Sequence, residues 1–175
     1  RGCNDDVVIP ESVTKIGERA FSECNSLRSV RIPEGVTNIG HAVFYGCNNL
    51  KAVVLPNTIK SIDTWWFMGC NSLEMIVSPG VPMGLYHNAT ISYYYADLAK
   101  TLKTAAAMGF LFHHEQYTEP AIATKYKEYI VAHKKEIIPL LLKNDTVEGI
   151  AGYAALGKIN LRNFETEFLK PAQAV

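Results

Sequence analysis

The chain has 175 residues, 48% of them apolar and 19% charged, a globular composition with room for one large domain or two small ones. Its 17 basic and 17 acidic residues cancel, and they do so locally, 7 against 8 before Asn88 and 10 against 9 from there on. Neither half has the cationic excess that phosphate backbones or anionic lipids select for, which argues against a nucleic-acid partner. No apolar run approaches the roughly 18 residues that span a bilayer; the longest lies near Ala105 to Phe112.

From Arg1 to about Pro82 the chain repeats itself every 23 residues. Cys24, Cys47 and Cys70 keep that period, as do Phe21, Phe44 and Phe67, and Asn25, Asn48 and Asn71. Pro10, Pro33, Pro56 and Pro79 keep it too, with files of Ile (16, 39, 62) and Leu (27, 50, 73). Such a period marks a stack of coils, each too small to bury its own apolar edge. Leu27, Val30 and Ile32 follow the Leu-x-x-Leu-x-Leu spacing of a short strand aimed into the stack, and Leu50, Val53 and Leu55 repeat it. Pro33 and Pro56 close those strands because proline donates nothing to a ladder. The return leg brings Val36, Ile39 and Phe44 inward, and Gly17 and Gly40 are read as turns that a side chain would obstruct.

Ile-Pro-Glu-Gly-Val-Thr-Asn-Ile-Gly (32–40) followed by Val-Phe-Tyr-Gly-Cys-Asn-Asn-Leu (43–50) resembles the BspA-like leucine-rich repeat, and 9–27 and 55–73 match the same pattern. The resemblance implies an α/β chain: a right-handed solenoid over 1–82, about three and a half coils, with a parallel sheet on its concave side. It also implies a bacterial surface protein engaged in adhesion or other protein contacts. Two departures stand out. Cys3 to Pro10 spans seven residues where later coils have nine, and Ser78-Pro79-Gly80 loses the inward Ile, so the stack is expected to end there. The N-terminal edge shows no polar cap, and the expectation is that further sequence precedes it.

Beyond His87 the period becomes helical. Ile91, Tyr95, Leu98, Leu102, Ala105 and Gly109 line one face. Ile122, Tyr126, Tyr129, Ile130, His133 and Ile137 line a second, with Thr118 as N-cap, Pro120 in the first turn and Pro139 as its end or kink. Asp145 and Glu148 form a capping box for a third helix that stops at Gly157, and Asn160 caps a fourth through Leu169. Residues 90–175 thus form an all-α segment of about four helices. It is weakly ankyrin-like over 145–169 and suited to covering the open end of the stack.

Side chains that suggest chemistry have plainer readings. Cysteines stacked about 5 Å apart per coil cannot converge on one metal ion, so no metal is expected and the thiols are read as buried, free and apolar. The Asn file suits turn capping or coil-to-coil hydrogen bonds. Ser12-Val-Thr-Lys15 matches a Ser-x-x-Lys pattern without its companion motifs and is read as coincidence. His113-His114-Glu115 reads as a polar loop, and Lys125, Lys127, Lys134 and Lys135, mixed with Glu128 and Glu136, as a solvated face. No cofactor is implied.

The outward strand positions remain: Ser29 and Arg31, Ala52 and Val54, Met75 and Val77, which turn from polar to apolar along the stack, an apolar patch that is either a partner site or the seat of the helical half. Trp65 shares a file with Arg19 and Ala42 and is expected to face outward and pack against the helical half, or else an external partner; Trp66 is expected in the core. The reading is a non-catalytic protein-binding or adhesion module using the concave face. A rigid spacer within a longer surface protein is one alternative, and an enzyme sited in the helical half is a remote one. The family resemblance favours the cell surface or secretion, while free thiols also suit the cytosol.

Overall fold

Each coil contributes one three-residue strand in which the middle side chain turns inward, and the constant period sets the strands in register. The computed structural model describes residues 6–82, 96–143 and 147–157. Strands β1 (Asp6–Val8), β3 (Ser29–Arg31), β5 (Ala52–Val54) and β6 (Met75–Val77) form one parallel sheet in the order β1-β3-β5-β6. Every paired residue is 23 positions from its partner: Val7 with Val30, Val30 with Val53, Val53 with Ile76. The return legs form a second small parallel sheet from β2 (Lys15–Ile16) and β4 (Asn38–Ile39).

The third coil departs from the first two. Asp63 takes the place of Gly17 and Gly40 and accepts a hydrogen bond from Trp65 N at 3.0 Å, opening a short 3-10 helix over Thr64–Phe67. The turn reading holds for Gly40, where a Cβ would lie 2.4 Å from Glu18 N, and not for Gly17, where it would meet nothing within 4 Å. The crowding arises between coils, and among the described residues no earlier coil lies against Gly17.

Among the described residues four α-helices follow: α1 (Ala96–Phe112), α2 (Pro120–Ala132), α3 (Lys134–Lys143) and α4 (Val147–Ala155). Residues 105 to 111 of α1 are all buried, the pattern of a helix enclosed on every side. On one side α1 lies along β6, so close that a Cβ on Gly109 would sit 2.0 Å from Ile76 O. On another it meets α4, where a Cβ on Gly152 would sit 1.9 Å from Leu111 O. One continuous apolar core runs from Ile16 in the solenoid to Tyr153 in α4.

The second helix differs from the expectation in two ways. Its N-cap is Glu119, with Pro120 at N1, and the single helix expected over 122–137 breaks at His133, not at Pro139. His133 leaves helical dihedrals (φ −111°, ψ 24°), and the chain restarts as α3 with Pro139 inside it. The break turns Ile137, Ile138 and Leu141 into the core. Gly157 has a φ of +68°, the left-handed conformation that ends α4's last turn. The expected starts at Ile91 and Asp145, the helix after Asn160 and most of the ankyrin-like stretch lie outside the described residues.

Candidate functional site

The outward face of the four-stranded sheet changes character strand by strand. On β3, Ser29 and Arg31 are exposed on either side of buried Val30. On β5, Ala52 and Val54 are half-buried around Val53. On β6, Met75 is half-buried and Val77 is fully buried. The parallel register sets Ser29, Ala52 and Met75 in one row and Arg31, Val54 and Val77 in the next. Val77 must therefore be withdrawn from the candidate contact residues. Its strand lies under α1, which removes it from solvent.

Trp65 is half-buried, its ring 5.6 Å from that of His41 in the preceding coil and tilted by 49°. His41 Nδ1 lies 3.1 Å from Asp63 Oδ2, so this side of the coil is joined to its neighbour by both a ring contact and a polar one. Trp66 is buried.

The repeated files act between coils. Asn48 Nδ2 donates to Asn25 Oδ1 at 3.1 Å, and Asn71 Nδ2 to Asn48 Oδ1 at 3.3 Å. Phe21, Phe44 and Phe67 stack in sequence with centroids 5.7 Å apart at each step. Cys47 Sγ donates to Phe21 O at 2.9 Å, and Cys70 Sγ to Phe44 O at 3.1 Å. Burial raises the pKa of both thiols, that of Cys70 to about 12, which keeps them protonated and poorly nucleophilic. Both are free. Cys24 is not, since it is disulfide-bonded, which corrects the expectation of a reduced file. Neighbours in a file of cysteines lie within disulfide range, so the period alone does not keep its thiols reduced.

Where the solenoid meets the helices, Ser78 takes the place of Ile32 and Leu55 and is fully buried. Its backbone N donates to the Tyr117 hydroxyl at 3.0 Å, and its Oγ lies 2.9 Å from the Tyr126 hydroxyl. The Tyr126 hydroxyl also donates to Val81 O at 3.2 Å. Phe110, Tyr117 and Tyr126 form a ring cluster with centroids 4.8 to 5.2 Å apart. Burial, reinforced by the neighbouring Tyr126, pushes the Tyr117 hydroxyl pKa far up. Helical spacing places Tyr126 on a helix face but gives neither tyrosine a polar partner. The available signal was Ser78 itself, a polar residue in an apolar file.

Elsewhere, a cavity of about 280 Å³ lies between the last coil, α1 and α3, with Leu73, Met108 and Leu140 among its walls and Lys100 and Lys143 beside them. Lys100 pairs with Glu136 at 3.2 Å. Among the described residues no group of three His, Cys, Asp or Glu could hold a metal ion. No helix among them is long and apolar enough to cross a membrane.

The family profile of the BspA type leucine rich repeat region matches residues 2–93 in six copies, more than half of the chain. The chain belongs to the BspA-type leucine-rich repeat family. Among solved structures, this BspA-type chain is similar to a leucine rich cell surface protein from Faecalibacterium prausnitzii. That match is 24% identical, covers 56% of this chain and 21% of that one, and has a TM-score of 0.38. It is also similar to a leucine rich repeat protein from T. pallidum, 28% identical over 54% of this chain and 48% of that one, with a TM-score of 0.40. The BspA-type chain thus spans about half or less of the length of these relatives. No curated protein matches it.

Proposed function

We propose that this chain is a non-catalytic protein-binding or adhesion module that makes contact through Ser29, Arg31, Ala52, Val54 and Met75. The observation that carries the reading is the half-exposed apolar strip of Ala52, Val54 and Met75, held on strands whose register is fixed by the coils on either side. Preordered strands lose little conformational freedom on binding, so their exposed apolar area converts efficiently into affinity. Membership of a repeat family that generally serves protein contacts supports the same reading. Residues 1–82 act as the solenoid and 90–175 as a helical unit that closes its C-terminal end. The Cys24 disulfide suits an oxidising compartment, which supports a cell-surface or secreted location.

A photo-crosslinking residue at position 54, compared with one at exposed Lys60 on the return leg, tests the contact face against candidate host and bacterial extracts. Adducts specific to position 54 are expected. The alternative of a rigid spacer gains if Arg31→Ala and Ala52→Trp leave partner capture unchanged while loss of a whole coil abolishes it.

A further inference from the structure

The cysteine bonded to Cys24 follows by elimination. The sequence holds four cysteines, at 3, 24, 47 and 70. Cys24 is disulfide-bonded, while Cys47 and Cys70 are free. Within one chain only Cys3 remains. Its spacing also sets it apart from the file. Cys24, Cys47 and Cys70 each stand five positions before a strand start, at Ser29, Ala52 and Met75, whereas Cys3 stands three before Asp6. Cys3 and Cys24 are thus 21 positions apart where the file keeps 23. In the regular coils each thiol turns to the preceding coil's phenylalanine carbonyl, Cys47 to Phe21 O and Cys70 to Phe44 O; a cysteine out of step by two is not bound to that arrangement. The coil that carries it is also the one least held by packing. Strand β1 pairs with β3 over three residues and, among the described residues, has no strand on its other side. Val7 is half-buried where Val30, Val53 and Ile76 of the same file are buried, and Val8 is 88% exposed.

We propose that Cys3 and Cys24 form a redox-sensitive disulfide that clasps the first coil to the second and keeps β1 paired with β3. Closing a span of about twenty residues removes chain freedom from the opened coil, so the bond acts where apolar burial is smallest. It forms by exchange with a disulfide oxidant, which accepts both electrons and leaves as two thiols. A soluble dithiol reverses this in two exchanges, ending as its own cyclic disulfide and leaving two thiols on the chain. The bond does not migrate along the file. Exchange needs a thiolate, and the next candidate, Cys47, is kept protonated by burial with its Sγ donating to Phe21 O at 2.9 Å. Reduction therefore loosens β1 and spares β6, which lies under α1.

The full chain is equilibrated with glutathione disulfide, unfolded in iodoacetamide without reductant and digested with trypsin. Cleavage places the four cysteines in four peptides, 2–15, 20–28, 32–51 and 61–100. The expected products are 2–15 linked to 20–28, with 32–51 and 61–100 alkylated. Hydrogen exchange of residues 6–8 is then compared with that of 75–77, with and without dithiothreitol, in wild type and in Cys3→Ser. Reduction is expected to speed exchange at 6–8 by on the order of a hundredfold and to leave 75–77 unchanged. Cys3→Ser should match reduced wild type whether or not reductant is present. If that variant does not fold, reduced wild type alone supplies the comparison. Alkylation of all four cysteines, a link from 20–28 to 32–51, or a link of 20–28 to its own copy overturns the proposal. Exchange at 6–8 that ignores both reductant and variant overturns it too, because the bond then clasps nothing.

Discussion

Ser78 interrupts an apolar file, and the interruption is matched by the hydroxyls of two buried tyrosines. Replacing Tyr126 by Phe keeps the ring stacked on Phe110 but removes the contact to Ser78 Oγ and the donation to Val81 O. Buried polar groups that lose a partner cost about 1–3 kcal/mol. Tyr126→Phe is therefore expected to lower the unfolding free energy by that amount, read as a lower urea midpoint with the slope unchanged. Cys70 gives a prediction in pH. Its thiol pKa rises from 9.0 to about 12 on folding, so below pH 9 both states hold the proton and its contribution is fully present. Above pH 9 the unfolded state releases the proton while the folded state keeps it, and stability falls until about pH 12. The slope is at most about 1.4 kcal/mol per pH unit for that group. Tyr117 acts in the same direction at higher pH, because burial also raises its pKa. Urea unfolding between neutral pH and pH 11 should show the decline, and Cys70→Ala should make it shallower above pH 9.

Among the elements, α1 is the one on which the others converge. Its contact with β6 depends on Gly109, where a methyl group would meet Ile76 O at 2.0 Å, Ile76 C at 2.5 Å and Val77 N at 2.9 Å. Backbone atoms cannot swing aside as a flexible side chain can, so Gly109→Ala must push the helix off the strand. A loss of about 3 kcal/mol is expected, read by thermal unfolding, with raised accessibility of Val77 in hydrogen exchange of β6. The strands were legible in the sequence because each coil meets a copy of itself: what suits Val30 beside Val53 also suits Val53 beside Ile76. The join to the helices was not. Ser78 finds its partners 39 and 48 positions away, and no period links them. The outward face was legible as a trend, yet Val77 was misplaced because strand alternation gives the direction of a side chain and not what later covers it. Likewise, helical spacing runs smoothly from Ile122 to Ile137, and the break at His133 follows from the tertiary burial of α3.

At the scale of the whole molecule, the solenoid and the helices share one core. The chain is expected to unfold in one transition rather than two, tested by the agreement of calorimetric and van't Hoff enthalpies. Ending the chain after Pro82 would uncover β6, Val77 and Val81 and leave Ser78 without Tyr117 and Tyr126. Such a truncation should lose the cooperative melt and self-associate through the bared strand, read by circular dichroism and sedimentation. Surface ion pairs such as Lys60 with Glu119 at 3.4 Å bridge the same junction but are worth little in water, so raising the salt should scarcely change the melting temperature.

A structure whose neighbours are always 23 positions apart has length as an adjustable dimension. Excising 33–55 would join Ile32 to Pro56 with each file still aligned, and the helices would arrive at an unaltered final strand. Removing a few residues fewer would throw every file out of line. Reach and closure are thus inherited separately, and such a chain can be shortened or lengthened in whole steps while its lid stays the same.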